Sequence, residues 1–481
     1  MAFGSPLSRR DLLKGLGLGA LSMAAAGPAF AAAPGKRKPN VVIIYADDMG
    51  WGDVGCYGCE DIPTPHLDAL AANGVRFTDG YVSCPQCAPS RAGLMTGKYQ
   101  QRFGFEWNPP MPRCFDDGLP LTETCIATQM KQAGYATGIV GKWHLGAGDP
   151  LHPNQRGFDE FFGTLHGSSL YFPPYNWAAR YYKDREMPAF DTQRNGEAVD
   201  EQAYLTDAFT REAAAFIDRH HDEPFFLYVP YTAPHTPLQP TEDRLERVKD
   251  IADETRRQYA AMVVSLDDGV GRIMAALREH GIESDTLVFF ICDNGATTNN
   301  SAGSNGPLKA GKGSVYEGGV RVPFIAQWPG VLPEGATYSE PVMQLDAAAT
   351  AVALAGGDIS GMDGVDLTPF LTGDRSGAPH DTLYWRFCNF GYARHGKPWQ
   401  WAVRRGDWKL CRAGAEVELF NLAEDLGETT NVIADHPEKA DELRQAYREW
   451  AATLEYPRWP EDMERVPWDP EKAGVRGVGN E

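Results

Sequence analysis

Positive charge is scarce in this chain. Lysine and arginine number 45 against 65 aspartates and glutamates, a formal net charge of −20. That balance excludes a nucleic-acid binder working by phosphate neutralisation, which needs basic surface. An anionic ligand would have to meet positive charge gathered in a pocket. Long apolar runs are absent beyond residues 1–31, so no later segment is expected to span a bilayer. Internal repeats and low-complexity tracts are also missing, which sets repeat architectures aside. Cysteine is sparse and odd in number, at nine, so at least one cannot pair within the chain.

What is present begins with an address. Ser8-Arg9-Arg10-Asp11-Leu12-Leu13-Lys14 precedes an apolar run rich in glycine and alanine, and Ala29-Phe30-Ala31 offers a small-x-small cleavage site. The paired arginines read as a twin-arginine export signal, so the twin-arginine export machinery is an expected partner and the location is periplasmic or secreted. Losing Arg9, Arg10, Lys14 and Asp11 takes the formal charge from −20 to about −22.

The rest of the chain alternates apolar runs with helical patterns. Asn40–Ala46, Ala136–Val140, Phe225–Val229, Leu287–Cys292 and Val322–Trp328 read as buried parallel strands. Leu67–Ala72, Cys125–Ala133, Ala203–Arg219 and Glu254–His280 read as helices. Strands alternating with helices predict an α/β fold: a large mixed, mostly parallel sheet with helices on both faces. After Leu371-Thr372-Gly373-Asp374 the pattern changes. Leu383–Phe387, Trp401–Arg404 and Trp408–Cys411 predict a small antiparallel sheet, and Pro437–Leu454 an amphipathic helix. The expected organisation is a signal peptide at 1–31, a catalytic α/β domain at 32–375, a C-terminal α+β subdomain at 376–455 and an extended tail at 456–481.

Cys87-Ala88-Pro89-Ser90-Arg91 is the most telling stretch. Pro89 suits the first turn of a helix, where its missing N–H costs nothing. Cys87 is then expected just before a helix N-terminus, whose free N–H groups favour anions. Arg91 adds a fixed cation one turn on. A structural thiol, a disulfide half, a redox cysteine and a zinc ligand are the competing readings of Cys87. The zinc reading draws on the pairs Cys56-x-x-Cys59 and Cys84-x-x-Cys87, though the gap between them is long for a zinc ribbon.

Four predicted strands end in residues that do chemistry. Asn40–Ala46 leads to Asp47-Asp48, and Leu287–Cys292 to Asp293-Asn294-Gly295. Ala136–Val140 leads to Lys142 and His144, and Phe225–Val229 to His235. In open α/β sheets ligands bind beyond the carboxyl ends of strands. Three carboxylates and an amide oxygen are hard ligands that suit calcium or magnesium. Isolated aspartates at such places would equally cap the following helices. Lys312, in Gly311-Lys312-Gly313, adds another cation. Asp267-Asp268 repeats the acidic dipeptide inside a long helical pattern, so a structural role is expected there.

Cys87-x-Pro89-Ser90-Arg91 with Leu94-x-Thr96-Gly97, Ala46–Gly52, Gly141–Gly146, Asp293-Asn294-Gly295 and Gly311–Pro323 together resemble one family. From about Pro39 to about Asn431 the chain closely resembles the formylglycine-dependent sulfatases of the alkaline-phosphatase-like superfamily. The resemblance implies that a separate formylglycine-generating maturation enzyme oxidises Cys87 to 3-oxoalanine. It implies that Asp47, Asp48, Asp293, Asn294 and the modified residue 87 hold Ca2+, with Mg2+ as the alternative. Arg91 then holds the hydrated aldehyde, Lys142, Lys312 and His144 contact sulfate, and His235 reaches the bridging oxygen. In some relatives a serine assists the residue matching His144; here Gly167 stands beside Ser168 and Ser169 in that region.

The implied reaction is sulfate-ester hydrolysis. One hydroxyl of the hydrated aldehyde attacks sulfur, His235 protonates the departing alcohol, and the second hydroxyl, helped by His144, collapses to aldehyde and expels sulfate. The stretch Gln86–Phe105 looks like that of bacterial sulfatases acting on marine polysaccharides, carrageenans among them, so a sulfated carbohydrate is the expected substrate. Two aromatic-rich stretches, Tyr171–Trp177 with Arg180-Tyr181-Tyr182, and Tyr384–Phe387 with Trp399 and Trp401, suit sugar stacking or packing between domains. Two rival functions share the motifs: phosphate or phosphonate monoester hydrolysis, and non-catalytic binding of sulfated glycans.

Overall fold

The computed structural model describes residues 37–109, 113–175, 191–298, 301–388 and 399–458. The predicted signal peptide, most of the predicted tail, and Asn176, Trp177, Arg180, Tyr181 and Tyr182 lie outside these residues. The strands run β1 (Asn40–Ala46), β2 (Val75–Phe77), β3 (Gly80–Tyr81), β4 (Ala136–Lys142), β5 (Glu160–Thr164), β6 (Gln193–Arg194), β7 (Glu197–Ala198), β8 (Phe225–Pro230), β9 (Thr286–Cys292), β10 (Phe324–Gln327), β11 (Ala336–Tyr338) and β12 (Val342–Met343). Ten of them form one sheet in the order β11-β2-β10-β9-β1-β8-β4-β5-β6-β7, while β3 pairs with β12.

The central four, β9-β1-β8-β4, are mutually parallel. Their apolar runs are buried almost end to end, as expected of strands covered on both faces. Parallel order puts all four carboxyl ends on one edge. Residues 47, 142, 235 and 293, distant in sequence, thereby become neighbours. One strand departs from expectation: β10 runs antiparallel to both β9 and β2. A short apolar run carries no signal of direction, because burial on two faces looks the same either way.

The helix Glu254–Glu279 shows what its acidic pair does. Asp267 accepts the backbone N–H groups of His66 and Leu67 at 3.1 and 2.8 Å. It thus satisfies free donors in the first turn of the helix Pro65–Ala72. Asp268 pairs with Arg247 at 2.6 Å. Both roles are structural.

The C-terminal part folds as an antiparallel sheet β13 (Leu383–Cys388), β14 (Trp399–Arg405), β15 (Trp408–Arg412) and β16 (Glu418–Asn421), with the helix Pro437–Ala451 against it. The second aromatic stretch is spent here. Tyr384 stacks on Trp450 of that helix with centroids 5.0 Å apart, and Trp401 stacks on Tyr447 at 4.5 Å. Trp385 reaches the other way, donating its indole N–H to the Val82 carbonyl at 2.7 Å. Arg386 forms a buried ion pair with Glu106. Trp385 and Arg386 thus tie the C-terminal sheet to the catalytic part, and Tyr384 and Trp401 tie it to its own helix, so these four side chains are engaged in packing.

The junction carries a pH-dependent link. His380 Nε2 lies 2.8 Å from Asp346 Oδ1, and Asp346 also accepts the Met343 N–H at the start of the helix Gln344–Leu354. Burial alone would lower the His380 pKa, but the Asp346 carboxylate outweighs it and the pKa is raised. A histidine raised on folding contributes stability that is complete below its unfolded pKa of about 6.5 and is lost as pH rises through the folded value. His380→Gln should therefore melt below the wild type at pH 6, with the gap closing toward pH 9. Equal melting curves at pH 6 would remove the link.

Candidate active site

Cys87 is the first residue of the helix Cys87–Thr96, with Gln86 as its cap. It therefore stands inside the helix and not before it, as the sequence pattern had placed it. Its thiol is buried, and Asn108 Oδ1 lies 3.6 Å from the sulfur while accepting the Ala88 N–H at 3.1 Å. One turn on, the Arg91 guanidinium is fully buried. It donates to Asp293 Oδ2 from Nε at 3.1 Å and from Nη2 at 2.6 Å, and to the Lys142 carbonyl at 3.2 Å.

The acidic residues face this helix from the strand ends. Asp47 Oδ2 pairs with Lys142 Nζ at 2.5 Å. Asp48 pairs with Lys312 Nζ at 2.6 Å and accepts Asn294 Nδ2 at 2.7 Å. His235 Nε2 stands 3.6 Å from Asp48 Oδ2, while its Nδ1 lies 2.6 Å from the Thr236 carbonyl. That second contact makes Nδ1 the protonated nitrogen and turns Nε2 toward the acids. Asp48 and His144 both hold positive φ, at 61° and 59°. Such backbone is unfavourable for residues with a Cβ and persists where surrounding structure imposes it.

Charge and burial then set the proton states. Burial pushes the Asp293 carboxyl up, and the Asp47 charge adds to it, to about 7. Burial would raise Asp48 too, but Lys312 and His235 hold it well below the usual carboxylate range. Burial would lower Lys312, yet Asp48 outweighs it and keeps the ammonium charged. Burial, seconded by Lys142, drives His144 far down, so its imidazole is neutral. Burial likewise brings His235 down to about 4, against the opposing pull of Asp48.

A divalent cation fits these residues. Asp47 Oδ1 and Asn294 Oδ1 are buried oxygens without a hydrogen-bond partner. Ligand atoms of Asp47, Asp48 and His235 lie within 4.8 Å of one another. Three carboxylates stand against Arg91, Lys142 and Lys312, so an added dication would leave the pocket positive and ready for an anion. Among the described residues that group is the one such cluster of His, Cys, Asp and Glu, and Cys56, Cys59, Cys84 and Cys87 are free thiols. The two Cys-x-x-Cys pairs therefore build neither a zinc cluster nor a disulfide.

Gly167 lies against His144: a Cβ there would fall 2.2 Å from Cε1 of the imidazole. No serine occupies that contact, and the Ser169 hydroxyl is buried without a partner. One participant gave no signal in the sequence: Asn108 faces Cys87 from an irregular loop with no motif around it. Tyr171, one of the aromatics read as suiting sugar stacking or packing between domains, is buried and donates its hydroxyl to the Thr232 and His235 carbonyls at 2.6 and 2.8 Å.

Comparison with known proteins settles the family. The sulfatase family model matches residues 39–357. The chain belongs to the sulfatase family. It is an enzyme that hydrolyses sulfate esters. A second model, the C-terminal part of N-sulphoglucosamine sulphohydrolase, matches residues 311–452. The chain is 36% identical to the N-acetylgalactosamine-6-sulfatase of Sus scrofa over 82% of this chain and 77% of that one. It is 34% identical to human arylsulfatase A, covering 86% and 87%. The solved structure of Ps i-CgsB in complex with k-i-k-neocarrahexaose superposes with a TM-score of 0.82 at 36% identity, over 88% of this chain and 95% of that one. A phosphonate monoester hydrolase of Agrobacterium radiobacter shares the fold at 22% identity, with a TM-score of 0.62 over 85% and 94%. Sulfatases generally carry a formylglycine and a divalent ion, and Asp47, Asp48 and His235 are a group able to hold such an ion. Among the described residues no helix is long and apolar enough to cross a membrane.

Proposed function

We propose that this sulfatase removes sulfate from a sulfated carbohydrate, with residue 87, converted from cysteine to formylglycine, as its nucleophile. The observation that carries the reading is the convergence of Arg91, Lys142 and Lys312 with three aspartates around the N-terminus of the Cys87 helix. Asp47, Asp48, Asp293 and Asn294 would hold the divalent ion, with calcium first and magnesium second, and residue 87 would join them. When bound, the ion polarises the sulfate oxygens and stabilises the charge that develops on them.

The chain's own side chains do the rest. Lys142 and Lys312 neutralise the ester's oxygens and hold the sulfur in line with residue 87. Arg91 has five N–H donors. Three are engaged by Asp293 and the Lys142 carbonyl, and Asp47 lies 3.7 Å from Nη2; a remaining donor would serve the hydroxyls at residue 87. Residue 87 attacks sulfur from one hydroxyl, which releases its proton as the bond from sulfur to the leaving oxygen breaks. His235 keeps one proton on Nδ1, so it first takes up a second at Nε2, which the bound anionic ester favours, and then passes that proton to the leaving oxygen. The neutral imidazole of His144 takes the proton of the second hydroxyl as sulfate departs. Likeness to the neocarrahexaose complex supports a carrageenan-type oligosaccharide as substrate. The N-terminal arginine pair supports twin-arginine export to the periplasm or beyond, with the domains divided at residues 31, 375 and 455.

Two measurements test this. Turnover should appear on one member of a panel of sulfated oligosaccharides, and exceed turnover on the phosphate ester of the same alcohol. The second uses His235→Ala. A sugar alkoxide is strongly basic and leaves slowly without an acid, whereas a nitrophenolate leaves unprotonated. The variant should lose about 10²–10⁴-fold on a sulfated sugar and much less on an aryl sulfate. Equal losses on both would make His235 a binding group and pass the proton to another residue, such as Lys312.

A further inference from the structure

We infer that Gln400, on strand β14 of the C-terminal sheet, is a positioning residue for Lys312. The inference rests on the sulfate-binding role proposed above for Lys312. A lysine ammonium ends a flexible four-carbon stem, so its place in a site depends on how firmly its backbone is held. Lys312 lies in the turn Gly311-Lys312-Gly313-Ser314-Val315, and Gly313 holds a φ of +81°. From the catalytic side the turn has two backbone tethers. The Lys312 N–H donates to Ala296 at 3.2 Å, and the Gly313 N–H donates to Pro85 at 2.8 Å, two residues before Cys87.

The Ser314 N–H closes the turn on the Gly311 carbonyl at 3.1 Å, while other groups of the turn face the C-terminal sheet. Gln400 meets two of them with one carboxamide. Its Nε2 donates to the Gly313 carbonyl at 2.9 Å, and its Oε1 accepts the Val315 N–H at 3.1 Å. This paired arrangement fixes the amide orientation, since only one end of the group donates. Gln400 and Val315 are buried, so water does not readily replace the bond to the Val315 N–H, while Gly313 is half-buried. Losing the carboxamide would leave the buried Val315 donor unpaired and release the Gly313 carbonyl, and the turn would shift to satisfy the donor. The side chain lies more than eighty residues from Lys312 in sequence, yet it grips the two residues that flank Ser314 in that turn.

The consequence is a transition-state contact set by a residue that touches no substrate. Misplacing a charged group by about 1 Å costs on the order of 10²-fold in rate. Gln400→Met, similar in size but without the amide, should lower kcat/KM on a sulfate ester by about 10- to 100-fold. Formylglycine at position 87, followed by peptide mass spectrometry, should be unchanged. The decisive measurement is a double-mutant cycle. In a Lys312→Ala background, Gln400→Met should cost less than about twofold, because the group it positions is gone. Gln400→Glu, which keeps the acceptor for Val315 but loses the donor for Gly313, should fall between and covers the case of a Met variant that does not fold. Equal losses in both backgrounds, or wild-type activity of both Gln400 variants, would overturn the inference. A Lys312→Ala enzyme with wild-type turnover would overturn the sulfate-binding role, and the clamp with it.

Discussion

Cys87→Ala should abolish turnover, by about four orders of magnitude or more, because the nucleophile itself is removed. The fold should survive. Cys87 is a small side chain at a helix start, and the ion pairs Arg91–Asp293 and Lys142–Asp47 do not involve it. Unchanged thermal unfolding alongside lost activity is the expected pair of results. Cys87→Ser separates attack from release. A serine hydroxyl can displace the alcohol and take the SO3 group, but it has no second hydroxyl to expel sulfate by collapsing to an aldehyde. The serine variant should stop after one turnover with its mass raised by one sulfate group on residue 87. Multiple turnovers by either variant would exclude formylglycine chemistry.

Chelation should be nearly as severe. Asp47, Asp48 and Asp293 are buried together, and in the ion-free protein burial and the Asp47 charge push Asp293 up to about 7. A dication binds best when all three are ionised, so it must displace that proton at acid pH. Apparent ion affinity should fall as pH drops below about 7 and level off above it, measured by titrating activity with the ion at several pH values. Activity lost to a chelator should return with calcium or magnesium. Recovery with zinc alone would argue for softer ligands than these oxygens. The arginine makes Asp293→Ala a poor test of the metal, because it removes the nearer carboxylate from the buried guanidinium of Arg91 and leaves it only Asp47 at 3.7 Å. Asp47→Asn alters the ligand set while Asp293 keeps its hold on Arg91.

The site was more legible in the sequence than much of its frame. Asp47, Asp48, Lys142, His235, Asp293 and Asn294 follow apolar runs, and a run buried on both faces announces itself in composition alone. Once the runs are parallel neighbours, their sequels must meet. Other elements left little trace. β6 and β7 are two residues long and partly exposed. The helix Gln344–Leu354 is buried on nearly every side and rich in alanine, so it shows no alternation of apolar and polar faces. Asn108 and Gln400 act through ordinary amides on loop and turn backbone, a kind of contact with no residue pattern to read. The aromatics of β13 and β14 were ambiguous for a physical reason: a ring that stacks on a sugar and one that stacks on Tyr447 or Trp450 look alike in one dimension.

The seam between the two sheets bears on how much of the chain the enzyme needs. Lys409 of β15 is fully buried between Glu317 at 2.7 Å and Glu428 at 2.9 Å. Glu317 also pairs with Arg321 at 3.2 Å and accepts the Tyr81 hydroxyl at 2.6 Å, so part of its charge is answered by residues that precede it or closely follow it in sequence. Lys409 and Glu428 complete the buried cluster only when the C-terminal sheet is in place. The cluster ties the stretch that follows Lys312 to the C-terminal sheet, so the catalytic pocket leans on residues far along the chain. A chain cut short before β15 should therefore lack sulfatase turnover.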